Sequence, residues 1–212
     1  MDARVAVVGV RDVGPDTVAI EFETPAGFEA TPGQFVRLDA VVDGEEQRRF
    51  YTLSSPDVAD SFEVTVGVDP EEGGSVSQHL AALEPGEEVD MSGPFGSNYY
   101  EGEGRVVVLA GGPGVGPAVG IGERAVREGA GVAVVYRDEA PAHRDRLDAL
   151  ADAGATVRIT EDSLVDPVAA VLTGEADEQV FVYGFQGFVD EAVEALRAAG
   201  TDPDEAKIES FG

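Results

Sequence analysis

Over residues 1–100 the apolar positions fall in short, often alternating runs: Val5–Val10, Thr17–Glu23, Phe35–Ala40, Arg49–Ser54, Phe62–Val68 and Glu87–Ser92. Turn-forming residues separate them at Gly14-Pro15, Pro25-Ala26-Gly27, Pro32-Gly33, Asp43-Gly44, Pro56-Asp57 and Pro85-Gly86. Six short strands at this spacing predict a closed or nearly closed antiparallel barrel. One stretch breaks the rhythm. Ser75–Leu83 follows Gly73-Gly74 and carries Val76, Leu80 and Leu83 at helical spacing, which predicts a helix inserted into the barrel.

After Gly102-Glu103-Gly104 the pattern changes. Uninterrupted apolar strands are expected at Arg105–Ala110, Val132–Tyr136, Thr156–Thr160 and Gln179–Tyr183, with Lys207–Ser210 closing the sheet. Between them lie helical patterns at Ala118–Glu128, Pro141–Ala151, Asp166–Leu172 and Phe188–Ala198. Strands that are apolar on both sides, alternating with helices, predict a parallel sheet covered on both faces. The expected organisation is a β domain over residues 1–101 followed by a doubly wound α/β domain over residues 102–212.

Chemistry concentrates in Arg48-Arg49-Phe50-Tyr51-Thr52-Leu53-Ser54-Ser55. On a strand, Arg49 and Tyr51 share one face and Thr52 takes the other. A guanidinium suits a phosphate, a tyrosine ring can stack, and a threonine can hydrogen-bond a ring edge. Taken alone, the stretch is better read as an amphipathic barrel strand with an arginine at its rim. Two glycine-rich segments change that balance. Gly111-Gly112-Pro113-Gly114-Val115-Gly116-Pro117 lies between the first parallel strand and its helix, where a tight turn and free N–H groups favour a phosphate. It departs from the dinucleotide fingerprint by placing Pro117 at the third glycine position. Gly73-Gly74-Ser75-Val76-Ser77 opens the barrel helix, and its plainest reading makes Ser75 or Ser77 an ordinary helix cap, which the two preceding glycines and Arg49 tilt towards a second phosphate. Two such cradles in two domains imply two nucleotide-like ligands meeting at the domain cleft.

Composition narrows the classes. The chain of 212 residues carries 42 acidic and 14 basic residues, a formal net charge of −28. Both halves share the excess, with 22 acidic against 5 basic in residues 1–104 and 20 against 9 in residues 105–212. With 43% hydrophobic residues, the chain has the apolar surface for real cores. A foldable polyanion whose only lysine is Lys207 fits a cytoplasm of molar salt, where the Debye length is about 3 Å and self-repulsion is screened. The same charge opposes nucleic acid and anionic membrane as partners. The absence of cysteine excludes disulfides, thiolate nucleophiles and cysteine-built iron–sulfur or zinc sites. The two histidines, His79 and His143, are too few and too far apart to suggest a metal site, and are expected at the surface. No signal peptide or membrane-length apolar run stands in the sequence, so a soluble cytoplasmic protein is expected.

In order along essentially the whole chain, these segments resemble the ferredoxin–NADP reductase superfamily. Pro32-Gly33-Gln34-Phe35-Val36 resembles the strand preceding the flavin, and Arg49-Phe50-Tyr51-Thr52 the family's arginine–x–tyrosine–serine/threonine motif. Gly74-Ser75-Val76-Ser77 resembles its pyrophosphate helix, Gly93-Pro94-Phe95-Gly96 the barrel's end, and Gly112–Pro117 the nicotinamide-nucleotide loop. Glu209-Ser210-Phe211-Gly212 resembles the tail beside the flavin. The resemblance implies a six-stranded Greek-key flavin-binding barrel and a parallel-sheet nucleotide-binding domain. It further implies bound FAD, NAD(P)H as substrate, and a separate acceptor, either a ferredoxin-like protein or a small molecule. By the same carry-over, Arg49 pairs with the flavin phosphate, Tyr51 packs along the ring, and Thr52 hydrogen-bonds near N5. Ser75, Val76 and Ser77 receive the pyrophosphate beside Gly74. Gly112, Gly114 and Pro117 shape the coenzyme site, and Phe211 covers the flavin.

Two departures bear on turnover. The family's Cys-Gly-Pro after the fourth parallel strand is here Tyr183-Gly184-Phe185, so Tyr183 stands beside the expected nicotinamide position. Glu139 occupies the place of an arginine found in many relatives, with Arg137 two residues earlier; an acidic group suits ribose hydroxyls and gives a slight lean to NADH. Arg48 is a candidate for receiving an acidic redox partner. The alternatives are a free-flavin reductase, the reductase component of an oxygenase, or, in another class, a nucleotide-sensing flavoprotein without turnover.

Overall fold

The computed structural model describes residues 1–42, 44–68 and 74–211. Asp43 of the expected Asp43-Gly44 turn, Gly73 of the barrel-helix cradle and Gly212 of the tail lie outside the described residues.

The first layer is a six-stranded antiparallel sheet built from β1 (Asp2–Gly14), β2 (Thr17–Glu23), β3 (Phe35–Val42), β4 (Glu45–Thr52), β5 (Ser61–Gly67) and β6 (Glu88–Phe95). Their spatial order is β4-β3-β6-β1-β2-β5. β1 is longer than its apolar centre predicts because it serves two neighbours. Asp2–Ala6 pair with β6, and from Val7 onward the strand shifts register and pairs with β2. The sheet curls towards closure just past β4. Leu53 bridges Val64, and the Ser54 N–H donates to the Glu63 carbonyl at 2.7 Å. Val5, Ile20, Phe22, Val36, Leu38, Leu53, Phe62 and Met91 fill the interior. The inserted helix, α1 (Ser75–Ala81), plugs it with Val76 and Leu80.

The second layer is a parallel sheet of β7 (Arg105–Gly111), β8 (Gly131–Arg137), β9 (Thr156–Thr160), β10 (Glu178–Gly184) and β11 (Lys207–Ser210), ordered β11-β10-β7-β8-β9. Helices α2 (Val115–Glu128) and α3 (Arg144–Asp152) cover one face, and α4 (Val165–Ala169) and α5 (Gln186–Ala198) cover the other. β7 is buried on both sides, as its unbroken apolar run requires. The chain winds from β7 to β9 on one side and returns to β10 on the other. Doubly wound sheets bind ligands at such a reversal, outside the carboxyl ends of the strands.

Residues 96–104 join the two sheets and are tied down across the second. Asn98 Nδ2 donates to the Ile208 carbonyl at 2.8 Å. Lys207 Nζ donates to the Tyr99 carbonyl, Glu101 and Glu103 at 2.6–2.7 Å. Among the described residues, no helix is long and apolar enough to cross a membrane.

Candidate functional site

The register of β3 against β4 sorts the motif residues by face. Arg49 stands opposite Leu38 and Tyr51 opposite Val36 on one face, while Phe50 and Thr52 share the other face with Arg37 and Phe35. The Arg49 side chain is exposed. It donates to the Arg48 carbonyl at 2.8 Å and reaches Gln47 Oε1 at 3.4 Å, and among the described residues no carboxylate pairs with it. The neighbouring Arg48 is engaged by Asp39 at 3.8 Å and Glu46 at 3.4 Å. Tyr51 is half-buried against the barrel core and its hydroxyl meets Ser77 of α1; burial raises the phenol's pKa and keeps it protonated. Thr52 is buried. On its side of the sheet lies an aromatic shelf that motif reading missed. Phe35 meets Phe50 edge-on at 5.6 Å and Phe95 at 5.8 Å, and Phe50 is 62% exposed.

Helix α1 is not capped by a serine side chain. Gly74 is its N-cap, in extended conformation, and the Ser77 N–H donates to the Gly74 carbonyl at 3.0 Å. The Ser77 hydroxyl is turned to Tyr51, and Ser75 faces solvent. Val76 sends its side chain into the core, so only its backbone can address a ligand. Among the described residues, nothing lies within 4 Å of a β carbon added at Gly74, which leaves room beside this helix start.

At the carboxyl edge of the parallel sheet, Gly112–Gly114 form a single 3-10 turn and α2 begins at Val115, three residues ahead of the expected helix. The glycines and Pro117 argue against helix here by propensity. Yet the first turn of a helix has no use for its own N–H groups, so Pro117 is accommodated there. Gly114 and Gly116 each admit a neighbour. Gly114 abuts the backbone of Tyr183. A β carbon on Gly116 would come within 2.5 Å of Thr65 Oγ1 and 2.7 Å of Ser54 Oγ, both on the barrel. Gly120 lies equally close to the Ser54 carbonyl, 2.8 Å from its missing β carbon. The start of α2 is therefore pressed against Ser54, two residues past Thr52, and against Thr65.

Tyr183 does not offer a face to a ligand. Its ring is wholly buried beside Phe181, and its hydroxyl donates to the Asn98 carbonyl at 2.8 Å. The same hydroxyl lies against Gly33, whose φ of +102° and lack of space exclude a side chain. Tyr183 thus spans from the parallel sheet to the barrel turn that leads into Phe35. Phe211 is half-buried; its N–H donates to the Gly184 carbonyl at 3.0 Å, and its ring meets the exposed Phe185 edge-on at 6.0 Å. Arg137 stands directly opposite Gly111, the first residue of the glycine loop. Its guanidinium pairs with Glu191 and lies 5.4 Å from the centre of the Phe188 ring, while Glu139 is exposed.

The sequence places His143 at the surface; the structure buries it between the two layers. His143 Nε2 lies 2.8 Å from Thr65 Oγ1, which lies 2.7 Å from Ser54 Oγ. The His143 N–H donates to the Val13 carbonyl at 2.7 Å. Arg146, one turn on, bridges Glu63 at 2.9 Å, Glu123 at 2.7 Å and the Ser54 carbonyl at 2.7 Å. Burial, with Arg146 and Arg11 nearby, pushes the imidazole down to a pKa of about 3, so it is neutral. No local pattern announces this contact, because its partners are 78 residues or more apart. His79, by contrast, is exposed as expected.

The predicted residues thus form two groups. Arg49, Tyr51, Gly74, Ser75, Val76 and Ser77 gather on the barrel. Gly112, Gly114, Pro117, Arg137, Tyr183 and Phe211 gather at the edge of the parallel sheet. They meet where Ser54 touches Gly116 and Gly33 touches Tyr183.

Comparison with known proteins places this geometry. Residues 4–100 match the oxidoreductase FAD-binding domain family. The chain is 27% identical over 205 residues to a flavohemoprotein of Pseudomonas putida, covering 87% of this chain and 52% of that protein. It is 35% identical over 128 residues to the glycine betaine monooxygenase reductase subunit of Pseudomonas aeruginosa, covering 58% of this chain and 34% of the relative. The chain therefore spans about half the length, or less, of these relatives. The FAD/NAD-binding domain of nitric oxide dioxygenase from Vibrio cholerae superposes with a TM-score of 0.81 over 99% of this chain and 98% of that one, at 19% identity.

Proposed function

We propose that this chain, whose residues 4–100 match the oxidoreductase FAD-binding domain family, is a reductase of the ferredoxin–NADP reductase superfamily and transfers hydride from NAD(P)H to FAD. The electrons then pass to a separate acceptor, a ferredoxin-like protein or an oxygenase component. One observation carries the reading: Ser54, two residues past the end of the strand bearing Arg49, Tyr51 and Thr52, is pressed against Gly116 and Gly120 of α2, so the flavin-motif strand ends beside the nucleotide-loop helix.

The residues present fit a flavin nucleotide. Arg49 has an exposed guanidinium without a carboxylate partner among the described residues, and Gly74 leaves room at the start of α1. Arg49 and the backbone of Ser75, Val76 and Ser77 would hold the phosphates, with Tyr51 along the ring and Thr52 at its edge. When bound, the flavin supplies both acceptance of hydride and release of single electrons. The protein's own work is placement: two rings stacked, water excluded, and Phe211 covering the site until the nicotinamide takes its place. Gly112, Gly114 and Pro117 would shape the coenzyme's approach. The exposed Phe50 and the Arg48 guanidinium beside it offer a surface for an acidic acceptor. The acidic, lysine-poor composition supports a cytoplasmic setting at high salt, and exposed Glu139 supports the lean to NADH.

The test is the visible spectrum of protein purified in high salt and supplied with FAD, before and after anaerobic NADH and then NADPH. Flavin bands that bleach with a pyridine nucleotide are expected. A protein that takes up no FAD would end the flavin assignment. A second reading, a nucleotide-sensing flavoprotein without turnover, draws on the buried Tyr183 at the position of the family's cysteine. Bands that persist with both donors would favour it.

A further inference from the structure

We propose that Glu191 on α5 sets coenzyme choice, by occupying Arg137 and so denying a guanidinium to a coenzyme that carries a 2′-phosphate. The inference rests on the reading of the sheet's carboxyl edge as a pyridine-nucleotide site. Arg137 is the last residue of β8, flanked in register by Gly111 of the glycine-loop strand and by Thr160 of β9. In doubly wound sheets the end of this strand faces the adenosine ribose, where an acidic group favours free hydroxyls and an arginine favours a 2′-phosphate. By position alone, Arg137 should favour the phosphorylated coenzyme.

Its surroundings cancel that. Phe188 is wedged between the ends of β7 and β10, since a β carbon on Gly111 or on Gly184 would strike its ring. The guanidinium rests over this fixed ring at 5.4 Å and is paired from α5 by Glu191. Arg137 is 26% exposed and Glu191 51%, so the arginine is half-buried while the carboxylate that pairs with it lies open to solvent. The loops leaving β8 and β9 add Asp138, Glu139, Glu161 and Asp162, of which all but Asp138 are exposed. With Arg137 neutralised, the edge presents carboxylates to an incoming phosphate. The device is a mask: the cation for a second phosphate is present and is held by a residue 54 positions away. Glu191 escapes motif reading because it lies past the Tyr183–Gly187 segment, on the solvent side of an ordinary amphipathic helix.

The experiment compares wild type, Glu191→Gln and Arg137→Ala/Glu191→Gln, with folding checked by thermal melts in high salt. Two readouts are taken at moderate salt: kcat/KM for NADPH relative to NADH with ferricyanide as acceptor, and the dissociation constants of NADP+ and NAD+ by calorimetry. Glutamine keeps the side chain's size and removes its charge. The NADPH/NADH ratio is expected to rise about tenfold in Glu191→Gln, as one released charge-assisted contact to phosphate predicts, with NADP+ binding tightening in parallel. Both gains should vanish in the double variant. An unchanged ratio in a wild type that oxidises NADH, a wild type that already prefers NADPH, or a gain that survives in the double variant overturns the proposal. A wild type that binds neither nucleotide removes the underlying coenzyme-site reading instead, and this one with it.

Discussion

His143 shows what a single side chain contributes to joining the two layers. It sits at φ +53°, a left-handed conformation uncommon outside glycine, asparagine and aspartate, and its ring reaches Thr65. The groups around it are Thr65 on β5, Arg146 on its own helix and Arg11 on β1, and both arginines oppose a charged imidazole. Unfolded, the ring takes a proton near pH 6.5; folded, it stays neutral down to about pH 3. Between those values the unfolded state binds the extra proton, so stability falls as pH drops through this window. His143→Asn, which tolerates the backbone conformation, should lower the urea midpoint near neutral pH and flatten its decline on acidification. Parallel declines in the two proteins would sink this account. Tyr183 poses a simpler case. Tyr183→Phe leaves the half-buried Asn98 carbonyl without its donor and should cost about 1–2 kcal/mol in urea unfolding, with the spectrum of bound FAD as the check on the site.

Among elements, α2 is the one on which the joint depends, because its first two turns are glycine-rich where the barrel approaches. Gly116→Ala would drive a β carbon into the hydrogen-bonded Ser54–Thr65 pair and is expected to destabilise by about 1–3 kcal/mol. Gly187→Ala, near the start of α5 and free of neighbours within 4 Å, should instead stabilise by about 0.4–1 kcal/mol. Chemical denaturation of both variants checks the pair, and equal shifts of one sign would contradict it. At this scale the sequence was informative about strands and less so about where they are joined. Alternation and apolar runs located the eleven strands found among the described residues, since a sheet's burial pattern is written locally in its residues. The start of α2 was missed because propensity argues against Gly-Pro-rich helix while position in the first turn permits it. The polar contact of Ser54, Thr65 and His143 was invisible for another reason. Each of its residues is unremarkable alone, and only the packing of two domains brings them together. Tyr183 was recognised as a departure from the family pattern. Its burial against Gly33, however, depends on the barrel turn, which no reading of β10 contains.

For the molecule as a whole, the surplus of 28 negative charges sets the conditions under which these contacts can hold. Arg146 and Arg105 lie in partly buried pairs that screening weakens little, but most of the carboxylates face water and one another. Raising potassium chloride from 0.1 M to molar concentrations shortens the Debye length from about 10 Å to about 3 Å and should raise the thermal midpoint steeply. A midpoint that stays flat across that range would remove repulsion as a governing term. This property was legible in composition, because net charge is a sum that needs no fold.

Lys207 is the chain's single lysine, and its ammonium closes the contact between the 96–104 linker and the last strand. An amine-acylating reagent therefore finds one side-chain target, which it reaches only when Tyr99, Glu101 and Glu103 release it. With reagent in excess, the rate at which that amine is consumed, followed by peptide mass spectrometry, becomes a clock for how often the linker lifts from the sheet. The native protein carries its own reporter of that opening, with no label engineered in.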